Sequence, residues 1–238
     1  MITKGKLYVI PNTIGENDVS KTIPLYVKEV IHQLDEFIVE NSKAARAFLK
    51  VMQIPLSQNE LTIHILNKQT DPAELDYFLH NCKNGKNIGL ISDAGCPGIA
   101  DPGAEIVEIA HQLEIKVVPL VGPSSILLSL MASGMNGQNF TFNGYLPIDK
   151  VEVKNKLKEL ERISKQKKQT QIFIETPYRN MKLLEIMFQT LQKSTKLCIA
   201  CDITMKTEFI KTSTIINWRK AKKPQLQKRP CIFLIQAE

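Results

Sequence analysis

The stretch "LISDAGCPGIADPGAEIVEIA", from Leu90 to Ala110, concentrates residue types suited to chemistry at a strand end. Gly95, Gly98 and Gly103 let the backbone take positive φ or approach a ligand closely, while Pro97 and Pro102 stiffen its path. Asp93 and Asp101 add two carboxylates. The apolar run 88–91 reads as a buried strand, and the residues after 103 read as a helix. Asp101 is the expected N-cap of that helix, with Pro102 in its first position. A plain connecting loop is the competing reading, because Gly and Pro clusters punctuate many turns. Position favours a ligand: open α/β sheets bind at the loops that follow the carboxyl ends of their strands.

Other chemistries find less support. Cys198 and Cys201 have a Cys-x-x-Cys spacing, but they lie in "KLCIACDI", which reads as a buried strand. Five cysteines without framework spacing suit a reducing cytosol. His32, His64, His80 and His111 share no ligand spacing, so no metal is expected. Charge is unevenly placed. Residues 1–118 carry 11 Lys and Arg against 15 Asp and Glu, whereas residues 119–238 carry 20 against 9. The basic clusters are "KNKLKELERISKQKKQ" and "NWRKAKKPQLQKR". Each reads plainly as a solvated helix face or a charged loop. An acidic half beside a strongly basic half nevertheless points to a polyanionic partner. Aromatics are sparse near the clusters, with Trp218 the exception, so phosphate contact is expected rather than base stacking.

The elements that must position these residues alternate along the first half. Strands are expected at 6–10, 36–41, 61–66, 88–91 and 115–122, with helices at 22–33, 42–52, 71–82 and 103–113. Val27, Val30, Ile31 and Leu34 form one apolar stripe, and Asp71 followed by Pro72 marks a helix start. This rhythm predicts βαβ units and a mostly parallel sheet. After "GPSSILLSLMASG" the rhythm changes. The strands "FTFNGYLP" and "QTQIFIE" flank a long charged helix. "KLCIACDI", "EFIKTSTI" and "PCIFLIQA" then follow without full helices between them, which predicts a mixed, partly antiparallel sheet. The fold class is therefore α/β, with two α/β domains at 1–118 and 119–238. The 43% hydrophobic content supports real cores. No apolar run approaches the roughly 20 residues of a membrane span. The N-terminus enters a strand with no signal-peptide pattern, so a cytoplasmic, non-membrane protein is expected.

Seven motifs in order, "LYVIPNTIG", "DEFIVENSKAARAFL", "LISDAGCPGIADPG", "VVPLVGPSS", "SGM", "FTFNGYLP" and "TQIFIETPYRN", span essentially the whole chain. Together they resemble the tetrapyrrole methylase-like (class III) S-adenosylmethionine-dependent methyltransferases. The match is best to the ribosomal RNA small subunit methyltransferase I branch, which methylates a cytidine 2′-hydroxyl of 16S ribosomal RNA. The resemblance implies two domains with the donor S-adenosylmethionine in the cleft between them, and a homodimer. It implies donor contacts at Asn12, Thr13 and Ile14, at Asp93, Ala94 and Gly95, and at Ser124 and Ser125. In the second domain it implies Ile174, Glu175 and Thr176, and more loosely Pro230. Plain alternatives exist: Ser124 or Ser125 as a helix N-cap, and Glu175 with Arg179 as a corner salt bridge. A 2′-hydroxyl acceptor must lose a proton, and Glu40, at the tip of the second strand, is the candidate catalytic base or else a structural residue. The family's second motif reads Ala-Glu-Asp-Thr-Arg, whereas this chain has Val39, Glu40, Asn41, Ser42 and Lys43. An acid and an arginine are thus replaced, and Lys cannot form the planar fork of Arg. The expected activity is ribose methylation of RNA of the small ribosomal subunit. The alternatives are a small-molecule, tetrapyrrole-type methylase and a noncatalytic RNA-binding protein that keeps the fold.

Overall fold

In the computed structural model, which describes residues 3–15 and 18–238, the chain divides into two compact units, 1–124 and 125–238. The first contains β1 (Lys6–Ile10), α1 (Leu25–Ile31), β2 (Glu36–Val39), α2 (Ser42–Val51), β3 (Thr62–Ile65), α3 (Leu75–Phe78), α4 (His80–Lys83), β4 (Ile88–Ile91), α5 (Ala104–Gln112) and β5 (Lys116–Pro119). Its strands pair in the order β3-β2-β4-β1-β5, and every pairing is parallel. Centre and edge differ as a layered sheet requires. β2 and β4 are buried at all four positions, whereas β3 and β5 keep partly exposed residues.

The apolar stripe behaves as its spacing predicts: Val27, Val30, Ile31 and Leu34 are all buried. Boundaries are where sequence reasoning fails. The helix expected at 22–33 begins only at Leu25, after Pro24, whose ring disfavours helical backbone at Ile23 before it. The helix expected at 71–82 opens as a 3-10 turn over Pro72–Glu74, with the Asp71 carboxylate accepting from the Ala73 N–H at 2.9 Å, and becomes α-helical only at Leu75. It then breaks at Leu79, whose φ of −104° separates α3 from α4. Leu79 is fully buried between Phe78 and Cys82 on the core face, so packing overrides the local helical preference there. The strand expected to reach 41 ends at Val39, because Asn41 caps α2 instead.

The second unit contains α6 (Ser125–Ser133), β6 (Phe140–Tyr145), α7 (Lys150–Lys167), β7 (Thr170–Glu175), α8 (Asn180–Thr190), β8 (Lys196–Cys201), β9 (Phe209–Thr214), α9 (Ile215–Lys220) and β10 (Cys231–Gln236). Its sheet order is β6-β7-β10-β8-β9; only β6 with β7 is parallel, so the sheet is mixed. Cys198 and Cys201 are fully buried on β8, in keeping with their reading as strand residues. The core on one face gathers Phe173, Phe233 and Trp218, whose indole N–H donates to the Leu197 carbonyl at 2.9 Å. Among the described residues no helix is long and apolar enough to cross a membrane.

Candidate functional site

In the first unit, the loops after β1 and β4 lie on adjacent strands and fasten to each other. The Asn12 N–H donates to the Gly95 carbonyl at 2.8 Å, and the Gly95 N–H returns to the Asn12 carbonyl at 3.2 Å. The Asn12 side chain is buried; its amide donates to the carbonyls of Ser92 and Asp93, while its oxygen accepts from the Thr13 N–H at 2.8 Å. Gly95 has φ +73°, and a Cβ there would stand 3.2 Å from the Ile14 side chain. Glycine at 95 is thus demanded by the loop pairing itself. The third connection, after β5, joins them: the Cys96 thiol donates to the Pro123 carbonyl, next to Ser124. Asn12, Thr13, Ile14, Asp93, Ala94 and Gly95 therefore form one edge, at the carboxyl ends of neighbouring parallel strands.

Asp101 does not cap α5. The cap is Gly103, at φ +129°, and a Cβ there would come within 3.0 Å of the Leu90 side chain. The loop turns back before the helix, with the Gly98 N–H reaching the Pro102 carbonyl, and the Glu105 carboxylate accepts from the Gly103 N–H at 3.3 Å. Freed from capping, Asp101 stands near Asp93 and Glu40 closely enough for their charges to interact. Burial raises the Glu40 carboxyl above its usual range; Asp101 and Asp93 push it further, and Lys68 opposes them. Burial likewise raises Asp93 and Asp101. The Asn41 backbone N–H pulls Asp93 the other way. The sequence offers Asp101 only as a helix cap and does not group it with Asp93 and Glu40. Its separation from Asp93 by a Gly-Pro loop that folds back was the signal.

A pocket of about 210 Å³ opens beside this edge, lined by Asn12, Thr13, Val19, Ala44, Ala47, Phe48, Val51 and Asp93. α2 supplies its wall, and the small Ala44 and Ala47 leave the space. α2 is held by Asn41, whose side-chain oxygen accepts from the N–H groups of Lys43 and Ala44 at 3.0 and 3.1 Å. Three clustered carboxylates with raised affinity for protons can hold a positively charged ligand or accept a proton from one.

In the second unit, β7 and β10 run antiparallel with Glu175 opposite Cys231, which brings Ile174, Glu175 and Thr176 to the same end as Pro230. The Glu175 carboxylate is engaged locally, accepting from Arg179 Nε at 2.9 Å and from the Thr176 N–H at 2.6 Å. Ser125 opens α6. His64 belongs elsewhere: it stacks on Phe78 and bonds Glu36 at 2.8 Å, at the start of β2. Among the described residues no group of three or more His, Cys, Asp or Glu could hold a metal ion.

Residues 20–217 match the family described as Tetrapyrrole (Corrin/Porphyrin) Methylases. This chain belongs to that family. The tetrapyrrole methylase match is accompanied by relatives over nearly the full chain. The "Ribosomal RNA small subunit methyltransferase I" of Bacillus subtilis is 34% identical over 97% of this chain and 75% of its own. The protein of that name from Buchnera aphidicola (Schizaphis graminum) is 31% identical over 97% of this chain and 78% of its own. Among solved structures, the methyltransferase CobJ superposes with a TM-score of 0.63 at 16% identity, covering 98% of this chain and 94% of its own. Uroporphyrin-III-C-methyltransferase from Thermus thermophilus superposes at 0.55 and 13% identity, covering 98% and 93%. These two likenesses establish the fold. The chain is an S-adenosylmethionine-dependent methyltransferase of the tetrapyrrole methylase family.

Proposed function

We propose that this methyltransferase acts on RNA of the small ribosomal subunit, methylating a ribose 2′-hydroxyl, with a 16S cytidine as the target class. The observation that carries the reading is identity of 31–34% along 97% of the chain to proteins named for that substrate. S-adenosylmethionine, when bound, supplies a methyl group activated by a sulfonium. The chain's own residues suit such a ligand: Asp93, Asp101 and Glu40 offer negative charge to a cation, and the pairing of Asn12 with Gly95 fixes the neighbouring Thr13, Ile14 and Ala94 at the same edge. Ser124, Ser125, Ile174, Glu175, Thr176 and Pro230 complete the proposed set of donor contacts. Glu40 is the proposed base. Its raised affinity for protons lets it accept the proton that the attacking hydroxyl must release. Asn41 in place of the family's acid keeps the α2 cap, since Asn and Asp cap equally well, but removes one negative charge beside Asp93. We further propose a cytoplasmic homodimer, a state that light scattering measures directly.

The deciding test maps ribose methylation across ribosomal RNA from cells with and without the gene. Loss of one 2′-O-methyl mark in small-subunit RNA, restored by the purified enzyme on the unmodified subunit, is the expected result. An unchanged map, with methyl transfer to a tetrapyrrole precursor instead, would overturn the RNA reading in favour of a small-molecule methylase.

A further inference from the structure

The geometry points to one flank of α7 as the surface that grips the RNA phosphate backbone, an inference that rests on the RNA reading above. The helix buries Val153, Leu157, Leu160, Glu161 and Ser164, and the Glu161 carboxylate beside the basic row is taken up by the Gln192 N–H at 2.8 Å and the Thr195 hydroxyl at 2.5 Å. Its solvent side sorts charge by sign. At 3.6 residues per turn, Lys154, Lys158, Arg162 and Lys165 fall within about 80° of one another, forming a row about 16 Å long. The exposed carboxylates Glu152 and Glu159 lie beyond that row, and Glu159 is already paired with Lys156 at 2.9 Å. Among the described residues nothing pairs with Lys154 or Lys158. Among the described residues Arg162 contacts only the neutral Gln166 side chain, while Lys165 is engaged by the main-chain oxygen of Glu238. Lys154, Lys158 and Arg162, held one helical turn apart on a rigid element and with no carboxylate partner among the described residues, match a polyanion that presents its charges in a row.

The second basic cluster differs, because its arginines are committed within the unit. Arg229 donates to the Asp202 carboxylate at 2.7 Å and to the carbonyls of Gln225 and Thr207. Arg219 donates to the Phe188 carbonyl, and Lys223 lies 3.4 Å from the Glu185 carboxylate. Only the lysines at 220, 222 and 228 are exposed without such partners among the described residues. Sequence alone ranked the two clusters together; the structure separates them.

The test uses the full chain and a fluorescein-labelled 20-nucleotide poly(U) RNA, with binding measured across several KCl concentrations. A Lys154→Ala, Lys158→Ala, Arg162→Ala variant removes three charges from a solvent-facing flank, so its melting temperature serves as the folding control. Its salt slope is expected to fall by about 2, since each phosphate contact to a single strand contributes about 0.7, with affinity at 0.1 M salt lowered on the order of tenfold or more. Lys220→Ala, Lys222→Ala, Lys228→Ala is the matched control and should leave the slope unchanged. A parental slope in the first variant, or an equal loss in the control, overturns the assignment to α7. An acidic protein would then be the candidate occupant of that flank. Should the parent protein fail to bind the RNA at any salt concentration, it is the RNA reading that fails, whereas binding by the parent without salt dependence overturns the phosphate grip alone, and the two failures are told apart.

Discussion

At the scale of single residues, Gly95 and Asp93 separate backbone geometry from ligand chemistry. Gly95→Val forces a side chain onto a residue at φ +73° whose Cβ already approaches Ile14, so a cost of about 1–2 kcal/mol from backbone strain is expected before any ligand is considered. The variant should therefore melt a few degrees lower as well as bind S-adenosylmethionine more weakly. Asp93→Asn keeps the backbone and removes one charge. It should melt no lower than the parent and lose donor affinity by about tenfold, the equivalent of about 1.4 kcal/mol, as measured by calorimetric titration. Undiminished affinity in Asp93→Asn would remove that carboxylate from the site. Glu40 yields a prediction in pH. Its folded pKa lies above the ordinary value of 4.5, so folding disfavours the ionised form. That penalty is present above the folded pKa and disappears below 4.5, where both states are protonated. Glu40→Gln should accordingly raise the melting temperature at pH 7, with the gain shrinking as the pH falls through the carboxylate range. A gain that persists at low pH would mean that Glu40's charge is not the cause.

At the scale of elements, α2 both walls the pocket and carries the chain's departure from the family motif. Asn41→Ala removes the acceptor for two helix N–H groups and should destabilise by about 1 kcal/mol, whereas Asn41→Asp keeps the cap. Thermal melts of both variants check this: only the alanine variant should fall, by a few degrees. Equal losses would show that the cap is not what Asn41 contributes. Glu36 shows how an element end is tied down away from the site. Burial pushes its carboxyl up, yet hydrogen bonds from His64, Asn81 and Lys86 outweigh burial and hold it below the usual range. These three contacts come from β3, α4 and the turn before β4, so a single carboxylate ties three segments to the start of β2.

At the scale of the whole molecule, each unit has its own buried centre. β4 occupies the middle of the parallel sheet, flanked by β2 and β1, and β10 lies between β7 and β8 with Cys231 through Ile235 buried. Native-state hydrogen exchange should find two slow clusters, one in β1 and β4 and one in β10 and its neighbours, with β3 and β9 faster. Edge strands exchanging as slowly as the centres would contradict this layering.

Much of this was legible without coordinates, wherever one physical signal acted locally. Periodicity marked the α1 stripe, continuous apolar runs marked β2 and β4, and the lack of full-length helices after 196, where only the short α9 forms, marked the mixed sheet. The glycines at 95 and 103 were visible as backbone that needed freedom. What each freedom served was decided by tertiary structure, because positive φ at 95 answers a partner loop 83 residues away in sequence, at Asn12. Asp101 illustrates the limit. Its local sequence is that of a good helix cap, but a loop that folds back on itself moved the cap to Gly103 and brought the carboxylate toward Asp93 and Glu40. The basic clusters are a second case, since composition counts charges equally whether or not a carboxylate or carbonyl already engages them. Short-range preferences are written along the chain; electrostatic neighbourhoods form between segments distant in sequence, and only the folded arrangement determines them.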